Sequence, residues 1–131
     1  MRLLDTDVLS SLVRQRVPDG VRAGLEGAAV LYTSAVNLAE VRYGIEKAGS
    51  QRLSELYEVH VFPFVVVLPF DDAAAEQYGR VRAELEARGT PLGETDLMIA
   101  SVALAHRLTL VTGNEAHFRR VPGLVIENWL A

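Results

Sequence analysis

The stretch ETDLMIASVALAHRLTLVT, residues 94–112, decides the fold. From Leu97 to Leu104 nearly every residue is apolar or small, which predicts a helix that is buried on most sides. The residues that follow, Leu108 to Thr112, are short and apolar and predict a strand. A buried helix that leads directly into a strand is typical of a parallel sheet with helices packed on its faces.

The same alternation of helix-like and strand-like segments continues on both sides of this stretch. Further strands are predicted at residues 2–4, 30–33, 65–68 and 124–126. Residues 65–68 form an unbroken run rich in β-branched side chains, so we expect that strand to be buried on both faces. The helices on either side of residues 48–50 are expected to form a helical hairpin. We therefore predict a single α/β domain over residues 1–131, with a central parallel sheet of about five strands.

Several helix ends and faces can also be predicted. Thr6 or Asp7 would cap the first helix, with Asp7 the better candidate, and Ser34 would cap the helix after the second strand. That second helix has two possible inner faces. One consists of Val36, Ala39 and Tyr43, and the other of Leu38, Val41 and Ile45.

Composition restricts the class of protein. Half of the 131 residues are hydrophobic and 23% are charged, as in a globular domain with a real core. The absence of cysteine excludes disulfide scaffolds, thiolate zinc sites, iron–sulfur clusters and a cysteine nucleophile. A net charge of −4 argues against binding of nucleic acid through bulk positive charge, although a local basic patch stays open. No signal peptide or spanning segment is recognised, so we expect a cytoplasmic protein without membrane contact.

Acidic residues follow strands or begin helices at several points. Asp5 follows the first strand, Glu40 lies about a turn and a half into the helix after the second strand, and Asp96 begins the helix before the fourth. Residues 112–114 directly follow the fourth strand. Because the carboxyl ends of parallel strands meet at one edge of a sheet, we expect these residues to converge. Carboxylates with amide or hydroxyl oxygens suit Mg²⁺ or Mn²⁺, ions that typically promote phosphoryl chemistry.

Each of these residues also has a purely structural interpretation. Asp5 could be a turn residue, Glu40 could lie on a solvated helix face, and Asp96 could cap its own helix. Against the last option, a carboxylate at the start of a buried helix needs a partner such as a cation. His117 is either a surface histidine or a group at the edge of the site. No P-loop, G-x-G-x-x-G or G-x-S-x-G motif is present, so nucleotide cofactors and a serine nucleophile are not supported.

Four segments in order resemble the PIN-domain ribonucleases, specifically the VapC-type toxins of toxin–antitoxin pairs. They are LLDTDVLSSL (3–12), TSAVNLAEVRYGIEKA (33–48), GETDLMIASVALA (93–105) and LVTGNEAHFRRVPGLVIENW (110–129). The resemblance covers essentially the whole chain and implies a PIN-like three-layer α/β/α fold. It places the family's first three site acids at Asp5, Glu40 and Asp96.

The family's fourth acid has no clear counterpart in this chain. Asn114 stands where many members have Asp, His117 stands where some have an acid before Phe118, and Glu115 matches neither position. Asn114 could coordinate through its amide oxygen or hold a water. Asp7 replaces the commoner Asn of the family, and its extra carboxylate could compensate in part.

The resemblance implies a metal-dependent endoribonuclease that acts as a toxin. Asp5, Glu40 and Asp96 would hold Mg²⁺ or Mn²⁺, and a water activated by the metal would hydrolyse a phosphodiester of tRNA or rRNA. Residues that would orient ligands, or whose part in the site is open, are Thr6, Asp7, Glu94, Thr112, Asn114 and Glu115. Arginines that either contact RNA or lie on solvated helix faces are Arg14, Arg42, Arg80, Arg82, Arg119 and Arg120.

The resemblance also implies protein partners, namely a second copy of the chain in a homodimer and a VapB-type antitoxin whose tail crosses the site. The apolar hairpin from Val36 to Val61 either holds an antitoxin helix or belongs to the core. Two other functions stay open. One is a housekeeping PIN nuclease in RNA processing, which would share the acids. The other is a catalytically weakened PIN binding module, which the missing fourth acid favours and the three other acids oppose.

Overall fold

The computed structural model describes residues 1–131 and contains one five-stranded parallel sheet in the order β3-β2-β1-β4-β5. The strands are β1 (Arg2–Leu4), β2 (Leu31–Ser34), β3 (Val65–Leu68), β4 (Thr109–Val111) and β5 (Ile126–Glu127). The helices are α1 (Thr6–Ser11), α2 (Asp19–Glu26), α3 (Ala35–Ala48), α4 (Gln51–His60), α5 (Asp72–Ala87), α6 (Glu94–Ala105) and α7 (Glu115–Phe118). The predicted α/β fold with a parallel sheet of five strands is confirmed.

The sheet separates two apolar cores. Leu3 and Leu110 pack in a core with residues of α5, α6 and α7, whereas their chain neighbours Leu4 and Val111 pack in a second core with residues of α1 to α4. Because successive side chains of a strand point to opposite faces, β1 and β4 contribute to both cores. The result is the three-layer α/β/α arrangement.

One strand differs from the prediction. Val66 and Val67 of β3 are 48% and 39% exposed, so this strand is not buried on both faces. β3 lies at the edge of the sheet and pairs only with β2. The helices that cover the central strands leave part of this edge uncovered, which a run of β-branched residues by itself does not reveal.

As predicted, α3 and α4 are consecutive helices joined at residues 49–50, and Val41, Ile45 and Tyr57 pack in the same core. The Ser34 hydroxyl accepts a 3.1 Å hydrogen bond from the Asn37 backbone N–H and caps α3. Gly49 ends α3 in the left-handed conformation, with φ of 61°, where a residue with a side chain would be strained. Val41 and Ile45 are buried, which selects the second of the two predicted inner faces. None of the helices has the length and apolar composition that a membrane crossing requires.

Candidate functional site

Asp5 is the buried centre of the site, at the point where β1 passes into α1. Its Oδ1 atom accepts hydrogen bonds of 2.9 Å from the Thr6 backbone N–H and of 2.9 Å from Nδ2 of Asn37. Its Oδ2 atom accepts a 2.7 Å hydrogen bond from the Thr112 hydroxyl. Asp5 is only 4% exposed and is the N-cap of α1. The predicted cap at Thr6 or Asp7 is therefore wrong, because both residues already lie within the helix.

The electrostatic surroundings of Asp5 are unusual for an aspartate. Burial raises its pKa to about 6, against the opposing effect of the hydrogen bonds from Thr112 and Thr6. The nearby charges of Asp7 and Asp96 raise the pKa further, so these carboxylates lie close enough to repel Asp5. A buried carboxylate beside other carboxylates is typical of sites that hold a cation or perform acid–base chemistry.

Two polar residues connect Asp5 with Glu40 of α3. The Thr6 hydroxyl donates a 2.6 Å hydrogen bond to Oε1 of Glu40. Nδ2 of Asn37 donates to the Thr6 hydroxyl, at 3.0 Å, as well as to Asp5. Glu40 itself is exposed, as its solvated-face interpretation predicted, but it is tied to the site through Thr6. The fully buried Asn37 was missed in the sequence, although its position three residues after the capping Ser34 was a signal.

Asp96 reaches the same region from the first turn of α6. Gly93 is the N-cap of α6 and no side chain bonds to the free amides, so the alternative role of Asp96 as a cap is excluded. Its side chain is 27% exposed, and Oδ2 lies 3.3 Å from Nδ1 of His117. The more exposed His117 therefore lies at the edge of the site, beside Asp96.

Asp7 links α1 to the loop after β4. Its Oδ2 atom accepts a 2.8 Å hydrogen bond from the Gly113 backbone N–H. Its Oδ1 atom is buried without a hydrogen-bond partner. In the same loop the Asn114 backbone N–H donates to the Thr112 hydroxyl at 3.0 Å, while the Asn114 residue is exposed and its side chain does not cap α7.

Comparison with known proteins now identifies the family. The model of the PIN domain family matches residues 2–124. The chain belongs to the PIN domain family. It is 34% identical over 130 residues to ribonuclease VapC2 of Rickettsia felis, covering 97% of this chain and 96% of that protein. It is 33% identical over 128 residues to the tRNA(fMet)-specific endonuclease VapC of Salmonella typhimurium, covering 97% and 96%.

The fold of this PIN domain is shared as well. The crystal structure of VapBC2 from Rickettsia felis, bound to a DNA fragment from its promoter, contains a chain that superposes with a TM-score of 0.88 at 32% identity. The match covers 98% of both chains. The resemblance to VapC-type PIN domains, inferred from four sequence segments, is therefore confirmed.

Two predicted site residues have other partners. Oε1 of Glu94 accepts a 3.4 Å hydrogen bond from the Tyr78 hydroxyl. Glu115 accepts a 3.1 Å hydrogen bond from Asn128 and lies 3.7 Å from the Arg119 guanidinium. Neither carboxylate contacts Asp5, Glu40 or Asp96 directly.

The six arginines proposed for RNA contact are dispersed. Nη1 of Arg120 donates a 2.9 Å hydrogen bond to the Pro91 carbonyl, in the loop that leads to α6 and Asp96. This contact makes Arg120 the candidate with a direct link to a segment next to a site acid. The other arginines contact their own or neighbouring helices or extend into solvent: Arg14, Arg42, Arg80, Arg82 and Arg119.

The carboxylates around Asp5 have the chemistry of a divalent-cation site but not its close spacing. No group of three carboxylate or histidine side chains is arranged closely enough to form a complete metal site by itself. The chemistry of the donors nevertheless fits a hard cation, because such ions prefer carboxylate oxygens and the charges of Asp7 and Asp96 repel that of Asp5. Oδ1 of Asp7 is buried and accepts no hydrogen bond, as expected for a carboxylate oxygen at a site without positively charged side chains.

Proposed function

We propose that this PIN domain is a metal-dependent endoribonuclease that hydrolyses phosphodiester bonds of tRNA or rRNA, and that it is the toxin of a toxin–antitoxin pair. The observation that carries this proposal is the buried Asp5 carboxylate, whose pKa is raised by burial and by the charges of Asp7 and Asp96 and which is connected through Thr6 to Glu40. The names of its relatives, a ribonuclease and a tRNA(fMet)-specific endonuclease, support the same chemistry.

Asp5, Glu40 and Asp96 would hold Mg²⁺ or Mn²⁺. When bound, such an ion lowers the pKa of a coordinated water and neutralises charge on a phosphate. The chain's own contribution is to fix the carboxylates. Three donors hold the two Asp5 oxygens in one orientation, so this ligand does not have to be ordered during binding.

The residues at the edge of the site have separate tasks. With its proton on Nδ1, His117 donates a hydrogen bond to Oδ2 of Asp96 and restrains the orientation of that carboxylate. Thr6 gives the exposed Glu40 a fixed partner. Arg120 offers a guanidinium with further donors near the loop at Pro91, where a phosphate of the RNA would be bound.

We further propose that the chain forms a homodimer and pairs with a VapB-type antitoxin. The structural relatives from Rickettsia felis and Salmonella typhimurium are VapBC complexes, which supports such a pairing.

The core takes up part of the hairpin that was predicted to bind the antitoxin, namely Val41, Ile45, Tyr57 and Val61. An apolar groove of about 490 Å³ beside them offers an uncovered surface to an amphipathic helix. Its lining includes Leu12, Leu25, Leu31 and the 65% exposed Phe64.

The test is a cleavage assay on total small RNA. Wild type and Asp96→Asn are compared, each with Mg²⁺, with Mn²⁺ and with EDTA. We expect discrete cuts by wild type only, lost in EDTA, and the cut band identifies the substrate. Cuts that persist in EDTA or in Asp96→Asn would refute the metal-dependent mechanism. Binding of RNA without cleavage in any condition would favour a PIN binding module instead.

A further inference from the structure

Residues 127–130, which begin with the last residue of β5, form a strap that lies against the loop after β4. The carbonyl of Glu127 accepts a 3.0 Å hydrogen bond from the Thr112 backbone N–H. Trp129 is only 9% exposed and packs on α2, where a Cβ atom added to Gly24 would lie 2.5 Å from its ring. The strap is therefore anchored on both sides of Asn128, and it follows the region that the family model matches, residues 2–124.

Asn128 uses both ends of its side-chain amide. Nδ2 donates a 3.1 Å hydrogen bond to Oε2 of Glu115, the first residue of α7. Oδ1 accepts a 2.9 Å hydrogen bond from the Leu130 backbone N–H. An amide is suited to this position because it combines a donor and an acceptor on one planar group.

Leu130 completes the contact with the loop. A Cβ atom added to Gly113 would lie 3.1 Å from Cδ1 of Leu130 and 2.8 Å from Oδ2 of Asp7. Gly113 is exposed to solvent, but a side chain at this position would meet both Leu130 and the Asp7 carboxylate. Leu130 of the strap and the Asp7 carboxylate therefore flank the same residue of the loop.

The segment beneath the strap carries contacts to two site acids. Thr112 donates to Oδ2 of Asp5 at 2.7 Å, and Nδ1 of His117 lies 3.3 Å from Oδ2 of Asp96. Glu115 lies between these two residues in the chain. A hydrogen bond to Glu115 therefore restrains the segment that joins the two contacts.

We propose that Asn128 is a positioning residue of the acidic site. It acts through Glu115 to keep the segment from Thr112 to His117 against Asp5 and Asp96. The expected effect on RNA cleavage rests on the proposed function. The expected effect on the position of residues 112–117 does not. It also gives Glu115 a role other than that of a metal ligand.

The test first removes the donor of the hydrogen bond from Asn128 to Glu115 and then supplies a donor from position 115. Asn128→Asp places a carboxylate against Glu115, and we expect Mn²⁺ affinity to fall about tenfold. We expect kcat to fall by a similar factor with KM for RNA nearly unchanged, and the Gly113 amide to exchange faster with solvent. Asn128→Asp combined with Glu115→Gln restores one donor and one acceptor, so all three values should return to near wild type. Asn128→Ala replaces the single variant if Asn128→Asp does not fold.

Arg2→Gln is the matched control. It removes the pair of 3.0 and 3.2 Å hydrogen bonds between Arg2 and Glu127, and it leaves in place the backbone hydrogen bond from Thr112 that holds the strap at Glu127. We expect it to lower stability without changing Mn²⁺ affinity or Gly113 exchange. If Asn128→Asp lowers only stability, as Arg2→Gln does, or if the double variant is not rescued, the inference is wrong. A wild type that neither binds Mn²⁺ nor cuts RNA would refute the proposed function instead, and Gly113 exchange would still decide the role of Asn128.

Discussion

The hydroxyl of Thr6 donates a 2.6 Å hydrogen bond to Oε1 of Glu40, a residue 34 positions further along the chain. Thr6 also follows Asp5 directly and gives that carboxylate its backbone N–H. One residue thus connects the buried acid that follows β1 with the exposed acid of α3. Glu40 has no other hydrogen-bond donor, so its orientation depends on this hydroxyl.

Replacing Thr6 tests this connection. Thr6→Val keeps the shape of the side chain and removes the hydroxyl, so Glu40 loses its partner. We expect Mn²⁺ affinity and cleavage to fall about tenfold, because a ligand without orienting groups binds less well. Thr6→Ser keeps the hydroxyl and should behave as wild type. Isothermal titration with Mn²⁺ checks both variants, and equal affinities for the two would contradict the role of Thr6.

The three proposed ligands should be individually essential. Asp5→Asn, Glu40→Gln and Asp96→Asn each remove a charge with little change of shape, and cleavage should fall below about 1% of wild type while the fold is kept. Circular dichroism and thermal unfolding check the fold, and the RNA assay checks activity. Full activity of Asp96→Asn would contradict the metal-site assignment.

Asn114 should matter less than the acids. Its side chain is exposed, and only its backbone N–H takes part in the hydrogen bonds around Asp5, through Thr112. We therefore expect Asn114→Ala to lose less activity than Asp96→Ala in the same assay. An equal or larger loss would mean that the Asn114 amide is itself a ligand, in place of the family's fourth acid.

The raised pKa of Asp5 predicts how stability depends on pH. Its folded-state pKa is about 6 against an ordinary value of 3.8, so the folded state binds this proton more tightly than the unfolded state does. The stabilising contribution is complete below about pH 4 and is lost as pH rises through about 6. Asp5→Asn cannot lose a proton and should be more stable than wild type above pH 6, by up to about 3 kcal/mol without metal.

Urea unfolding of wild type and Asp5→Asn between pH 4 and 8, in EDTA, measures this difference. The gap between the two proteins should close toward pH 4. Asp72→Asn, which changes an exposed carboxylate at the start of α5, is the matched control and should show no such trend. A gap for Asp5→Asn that is independent of pH would contradict the raised pKa.

The convergence of the acids could be predicted because strand ends are recognisable in a sequence. Asp5 ends an apolar strand and Asp96 begins an apolar helix, so the rule for parallel sheets brings both to one edge. Asn37 could not be found in this way. Its place at the site depends on the rotation of α3 about its axis. The apolar pattern of α3 fits two inner faces, and only the burial of Val41 and Ile45 distinguishes them.

Exposure and hydrogen-bond partners were the least predictable features. The β-branched run of β3 has the same composition as a buried central strand, and only the strand order shows that it lies at an edge. Asp7 has the residue type of a helix cap, but Asp5 precedes it by two positions and occupies the cap. The strap contact between Asn128 and Glu115 joins positions whose pairing depends on how the chain end returns to the sheet.

The open edge at β3 also affects how the isolated chain behaves in solution. Its outer side has backbone N–H and C=O groups that no neighbouring strand pairs, next to the exposed side chains of Val66 and Val67. Such an edge is a template on which a strand of another molecule can add. The strand is only four residues long and is followed by Pro69, which has no N–H to donate. Only the four residues of β3 are therefore available for pairing with another molecule, which limits self-association of the chain through this edge.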